Sequence, residues 1–224
     1  MCGRYTRTTT KEDLIRRFRI QKVETDLFGP RYNVAPSQDC LVVILRDRER
    51  VLTSMKWGLI PHWAKDSKLA PINAKAETLA QKPMFRSLLK GKRCLIPANS
   101  FYEWQKLAGS KAKTPYRIGL KDWRPFAFAG LWDARVGPGG EELLTFAIVT
   151  TMPNALVGQI HDRMPVILAE AAEDSWLQAG KPEALVPYSE GGMAAHPVST
   201  VVNSPGNDLP ACLEAVPEAQ NTAP

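Results

Sequence analysis

The sequence predicts an α+β fold, a mixed or antiparallel sheet able to close into a barrel-like core, flanked by short helices. Three observations carry that reading. Five strand signals follow one another between residues 93 and 150, with no helical stretch among them long enough for a βαβ crossover. Helical patterns elsewhere are few and short. The chain has 224 residues and is 44% apolar, enough for one packed core and thin for two domains.

The elements follow in order. Thr8, Thr9 and Thr10 before Lys11, Glu12 and Asp13 mark a helix start, a hydroxyl cap with acids in the first turn. Leu14, Ile15 and Phe18 form its buried stripe. Tyr32–Pro36 reads as extended. Leu41–Leu45 and Val51–Trp57 flank the charged stretch Arg46–Arg50 and predict a hairpin. Thr78–Leu89 predicts helix, in one or two pieces broken at Pro83 and ended by Gly91. Strands follow at Arg93–Ile96, Phe101–Gln105, Tyr116–Leu120, Phe126–Trp132 and Leu144–Thr150. Pro153–Ile160 is a short helix, Met164–Leu168 a strand and Ala169–Gln178 a helix. Residues 1–210 are expected to form the domain and residues 211–224 a frayed tail, because Pro, Gly, Asn and Ala dominate after Val202.

Composition excludes several classes. The longest apolar run, Cys40–Leu45, is six residues, far below the roughly 20 that a membrane-spanning helix needs. Met1 is followed by no apolar leader, so the cytosol is the expected compartment and no membrane partner is expected. Cys2, Cys40, Cys94 and Cys212 show no CxxC spacing, and His62, His161 and His196 no ligand spacing. Neither a disulfide framework nor a metal site is expected, nor any cofactor. The net charge of +6 hides an asymmetry: residues 1–140 carry 27 Lys and Arg against 12 Asp and Glu, the remainder 2 against 11. A basic excess so localised suits a polyanion, and equally a solvated basic face.

Four residues stand out chemically. Once Met1 is removed, the usual fate when the second residue is small, Cys2 presents an amine and a thiol on adjacent carbons. Their ordinary pKa values, about 7.7–8.0 and about 8.5, leave both partly nucleophilic near neutrality. A 1,2-aminothiol takes up an aldehyde as a Schiff base, and the thiol then closes a five-membered thiazolidine. Gly3 and Arg4 beside it suit close backbone approach and a guanidinium for phosphate. Glu103, in Phe101-Tyr102-Glu103-Trp104, is either a solvent-facing strand position or a carboxyl whose pKa is raised by apolar walls. His161 is either a helix C-terminal histidine or a proton-transfer group. Asn73 is either a turn residue or a buried amide that orients a reacting group. Trp57, Trp63 and Trp104 interleave with Lys56, Lys65, Lys75, Arg86 and Arg93, a pattern that fits base stacking along a charged groove, although core packing accounts for any one tryptophan.

Together these segments resemble the SOS-response-associated peptidase (SRAP) family. The resemblance runs through Met1-Cys2-Gly3-Arg4-Tyr5, Arg31–Pro36, Trp57–Pro61, Ile72–Thr78, Arg93–Ala98, Phe101–Trp104, Phe128–Trp132, Phe146–Thr150, Ile160–Leu168 and Val198–Asn203, covering about residues 2–210 without a gap. It implies a single compact α+β domain around a β-barrel-like core, and a sensor of abasic sites in single-stranded DNA that links covalently through its N-terminal cysteine. Carried over, Cys2 is the nucleophile, Asn73 orients it, Glu103 transfers protons at the amine and the sugar ring oxygen, and His161 assists ring opening. Arg4, Trp63, Lys75, Trp104 and Arg86 would contact DNA, and the protein is expected to act as a monomer. Two positions depart from the pattern. Lys75 stands where the family usually has Arg, which removes a two-point grip on phosphate. Ser100 stands where many members have Gly. The family name carries a competing reading, a cysteine peptidase built on Cys2, His161 and Glu103, acting on other proteins or on Met1 alone. A DNA-binding module without chemistry is a third.

Overall fold

The computed structural model describes residues 2–64, 70–106, 109, 112–137, 139–180 and 182–217. The chain opens with β1 (Tyr5–Arg7), buried along its length, and then α1 (Lys11–Phe18). Thr10 caps α1 by accepting the Asp13 N–H at 3.2 Å, and Leu14 and Phe18 are fully buried while Ile15 is half-buried. Two short strands, β2 (Lys22–Val23) and β3 (Arg31–Val34), lead into the hairpin of β4 (Asp39–Arg46) and β5 (Glu49–Trp57). Its turn residues Asp47 and Arg48 both have positive φ, 51° and 68°, the sense of twist that a two-residue hairpin turn needs. Then come β6 (Asn73–Lys75) and α2 (Pro83–Arg86). The helix expected over Thr78–Leu89 is in fact three single turns, Ala76–Thr78, α2 and Leu88–Lys90. Pro83 cannot donate to a preceding turn and so opens a new one.

Strands β7 (Arg93–Ala98), β8 (Ser100–Lys106), β9 (Lys113–Leu120), β10 (Phe126–Val136) and β11 (Glu142–Thr151) fall on the five strand signals. After α3 (Ala155–Gly158), the strand expected at Met164–Leu168 is split into β12 (Met164–Pro165) and β13 (Ile167–Leu168). It fills the gap where β10 and β11 part: β12 pairs with β11 and β13 with β10. Between them Val166 donates its N–H to Val149 and accepts that of Ala129. Helix α4 (Glu170–Ala179) and strand β14 (Met193–Pro197) complete the set.

Five strands, β5, β4, β7, β10 and β11, form a closed barrel. Four of its seams are antiparallel; the fifth is a short parallel contact, Thr145 with Lys56 and Phe146 with Trp57. Strand β6 continues that parallel edge along β11. A second, antiparallel sheet in the order β14-β9-β8-β1-β3 packs its inner face on the barrel, so Tyr5, Phe101 and Ile118 share one core with Trp57, Phe128 and Phe146. The outer barrel face is covered by α1, α4 and the turns between residues 76 and 90.

The acidic last third of the chain neutralises basic residues of the first. Glu173 on α4, 2% exposed, pairs with Arg17 at 2.8 Å and Arg50 at 3.3 Å, and Arg50 also reaches Asp174 and the Phe18 carbonyl. Arg93, read from the sequence as part of a basic groove, is instead buried. It donates to the carbonyls of Trp176, Leu177 and Gln178 at the end of α4 and to that of Leu89. The tail expected to fray from residue 211 also differs. Pro210–Leu213 makes a turn that buries Cys212, Val198 bridges to Ala215, and residues 218–224 lie outside the described residues. Glu173→Ala is expected to lower stability by about 1–3 kcal/mol, read from urea midpoints, because Arg17 and the buried Arg50 lose their shared partner while Arg50 keeps Asp174. Removing the exposed Arg16 side chain is expected to leave the midpoint unchanged.

Candidate functional site

Cys2 lies just before β1 and is fully buried within the shared core. Its backbone is fixed from two sides. The Asn73 amide donates to the Cys2 carbonyl at 2.8 Å, and the Arg4 carbonyl accepts from Tyr102 N–H on β8 at 3.0 Å. Asn73 owes its own position to the barrel. Trp57, at the end of β5, donates its indole N–H to the Ile72 carbonyl at 2.9 Å, and Ile148 on β11 pairs with Asn73. The buried Asn73 Oδ1 accepts from no described residue.

Glu103 projects from β8 into the same region. It is 3% exposed, and burial pushes its carboxyl up to about 7. Of the two sequence readings, this decides for the carboxyl between apolar walls. His161 follows α3, with Nε2 3.7 Å from Glu103 Oε2, near enough for charge coupling and beyond a hydrogen bond. Burial lowers its pKa below the usual imidazole value. The Arg163 N–H points at His161 Nδ1 at 3.0 Å, so the neutral ring carries its proton on Nε2, facing Glu103. The exposed Asp162 carboxylate lies 2.9 Å from the same Nδ1 and accepts from it only in a ring protonated at that nitrogen. Burial and the Glu103 charge both push the Cys2 thiol well above its usual range. Cys2, Asn73, Glu103 and His161 therefore converge from four separate segments. Among the described residues no cluster of three His, Cys, Asp or Glu forms that could hold a metal.

The residues read as DNA contacts divide. Lys75 is exposed and lies two residues from Asn73, on the same side of β6. Trp63 is 56% exposed and Arg86 is exposed on α2. Arg4 is committed elsewhere: it donates to Asn33 Oδ1 and to the carbonyls of Val202 and Asn203, with its plane over Trp104 at 5.9 Å. Trp104 in turn donates to Asn203 Oδ1. Trp57 is a core residue stacked on Phe146, as burial and the ring planes show. Lys65 lies outside the described residues. Sequence reasoning missed two supports. Arg163 makes a two-point ion pair with Glu77 at 2.8 and 2.9 Å and bonds the Thr150 carbonyl, tying the His161 segment to the one carrying Asn73. Asn33, fully buried, links Arg4 to the Val202, Ser204 and Asn207 carbonyls. Arg163 and Glu77 both stand inside quoted motifs, but nothing in either motif says that they pair.

A model of the family described as SOS response associated peptidase (SRAP) matches residues 1–205. The abasic site processing protein YoqW of Bacillus subtilis (strain 168) is 46% identical over 224 residues, covering 96% of this chain and 100% of the relative. The abasic site processing protein HMCES of Xenopus tropicalis is 32% identical over 240 residues, covering 90% of this chain and 70% of the relative. An X-ray structure of a Bacteroides thetaiotaomicron protein superposes with a TM-score of 0.85 at 26% identity, covering 96% of this chain and 100% of the other. Motifs, coverage and barrel topology agree, and the chain belongs to the SOS response associated peptidase (SRAP) family.

Proposed function

We propose that this protein captures abasic sites in single-stranded DNA as a covalent adduct of Cys2. The observation that carries the reading is a cysteine next to the initiating Met1, held by Asn73 within the field of a carboxyl that burial has raised to about 7. The names of its relatives point the same way. Loss of Met1 frees the α-amine. The amine adds to C1′ of the ring-opened sugar aldehyde, forming an N–C bond, and the resulting carbinolamine loses water to give an imine. The thiol then adds across the C=N bond: sulfur bonds to C1′, its proton passes to nitrogen, and a thiazolidine closes. Burial keeps the Cys2 thiol protonated, so its proton must leave as sulfur adds, and Glu103 is placed to relay it.

Glu103 is suited to both proton directions, because a carboxyl titrating near neutrality can donate to the sugar ring oxygen or the leaving hydroxyl and accept from the amine. His161, neutral with Nε2–H facing Glu103, supplies a second proton path to the ring oxygen. Lys75 and Trp63 offer a phosphate contact and a stacking surface that carry no base preference.

The test is incubation with single-stranded DNA containing one abasic site, read by intact mass and a denaturing gel. A chain lacking Met1 and a denaturation-resistant adduct are expected. An equal adduct from a chain whose Cys2 amine is blocked by extra residues would overturn the reading. Glu103→Gln is expected to slow single-turnover crosslinking by about 10²–10⁴-fold, with affinity for undamaged DNA unchanged or slightly higher. The same substitution is expected to stabilise the fold. The native carboxyl, titrating at about 7, binds its proton more tightly than an unfolded one near 4.5. Stability therefore falls as pH rises from about 4.5 to 7 and levels above it. The melting temperature of Glu103→Gln relative to the unsubstituted protein is expected to rise over that window.

A further inference from the structure

His62 lies beside the exposed Trp63 and is built into the fold with more precision than a surface residue requires. Asp133 on β10 is 3% exposed, and both of its oxygens are used. Oδ2 accepts the His62 backbone N–H at 2.8 Å and lies 2.9 Å from His62 Nδ1, while Oδ1 accepts the Ala134 N–H at 2.9 Å. No Lys or Arg pairs with Asp133 among the described residues, so His62 is its one potential cation partner. The His62 side chain itself is 60% exposed.

The backbone that carries the ring is fixed bond by bond. Gly58, at φ 132°, turns the chain out of β5 and donates to the Phe146 carbonyl. Leu59 then donates to the Pro71 carbonyl, Ile60 to Thr145 Oγ1 at 2.8 Å, and His62 to Asp133. The Leu59 bond ties this loop to the segment entering Asn73. Trp63 is the one aromatic side chain among the large exposed apolar residues described. An exposed ring next to a fixed imidazole is the combination that single-strand binding uses, a stacking platform beside a charge for the backbone.

We propose that His62 is a proton-linked phosphate contact for the DNA strand, oriented by Asp133. The inference rests on the DNA-binding reading above. With the carboxylate on Nδ1, the neutral ring holds its proton there and turns only a lone pair outward at Nε2, which a phosphate oxygen does not accept. Protonation at Nε2 neutralises the buried Asp133 charge and creates an outward N–H donor in one step, so phosphate binding and proton uptake favour each other. Thr145 on β11 pairs in register with Lys56 on β5 and with Asp133 on β10. Among the described residues, Lys56, its register partner Asp39 on β4, and Arg135, two residues beyond Asp133 on β10, are the other charged groups on that face.

The experiment measures affinity for an undamaged oligonucleotide against salt concentration at pH 6.0 and pH 8.5, for the unsubstituted protein, His62→Gln and His62→Lys. At pH 6.0 the slope of log affinity against log salt is expected to be smaller by about 0.7 in His62→Gln, one phosphate contact on a single strand, with binding a few-fold weaker. At pH 8.5 the unsubstituted protein and His62→Gln are expected to coincide, whereas His62→Lys keeps the larger slope at both values. Glu103, His161 and the N-terminus titrate alike in all three chains, so the difference between variants isolates position 62. Equal slopes for the unsubstituted protein and His62→Gln at pH 6.0, or the same deficit at both pH values, would overturn the proposal while leaving the DNA-binding reading intact. No binding by the unsubstituted protein at either pH would overturn both.

Discussion

The site depends on a parallel seam only two residue pairs long. Where β11 meets β5, Phe146 pairs with Trp57, and their rings stack nearly parallel, 10° apart at 6.2 Å. That contact closes the barrel, and the same tryptophan holds the Ile72 carbonyl, the last backbone group before Asn73. Asn73 then holds Cys2. A chain of four residues thus connects barrel closure to the position of Cys2. Buried aromatic stacking resists displacement because every lost contact opens a void in a close-packed interior. Cys2, in a segment that would otherwise be mobile, inherits the rigidity of the core.

Charge is managed differently on the two sides of the molecule. Away from the site, carboxylates and guanidiniums pair, as in the buried Glu173 with Arg17 and Arg50, or the half-buried Asp208 with Arg31 and the N–H groups of Tyr32 and Asn33. The net basic excess of the first 140 residues is therefore partly consumed inside the fold, and less of it faces solvent than the sequence suggests. At the site, burial raises the Glu103 carboxyl to about 7, so ionising it near neutral pH costs stability.

Much of this was legible in the sequence, for identifiable reasons. Strands such as Arg93–Ile96 and Phe126–Trp132 were visible because strands buried on both faces read as short apolar runs between turn signals. Cys2 and Glu103 were visible because their chemistry is unusual for their local context. The short strands β1, β2, β6 and β14 were not, since two to five residues give no period and their pairing is set by distant partners. Arg93 was misread for the same reason. A residue's type tells what it can do, and only the tertiary fold tells whether it faces solvent or the end of a helix 80 residues away. The Arg163–Glu77 pair was silent because ion pairing across 86 residues leaves no local trace.

Arg4 ties the strand next to Cys2 to carbonyls of Val202 and Asn203, and Asn33 ties it to Ser204 and Asn207. The first residues of the chain are thus locked by nearly the last. During synthesis the amino terminus emerges first, and about two hundred residues must follow before its holding groups exist. Until then residues 2–4 lack the groups that hold them, and afterwards Cys2 is buried. Translation itself imposes an order: Cys2 gains its fixed surroundings only after the carbonyls of residues 202–207 have been made.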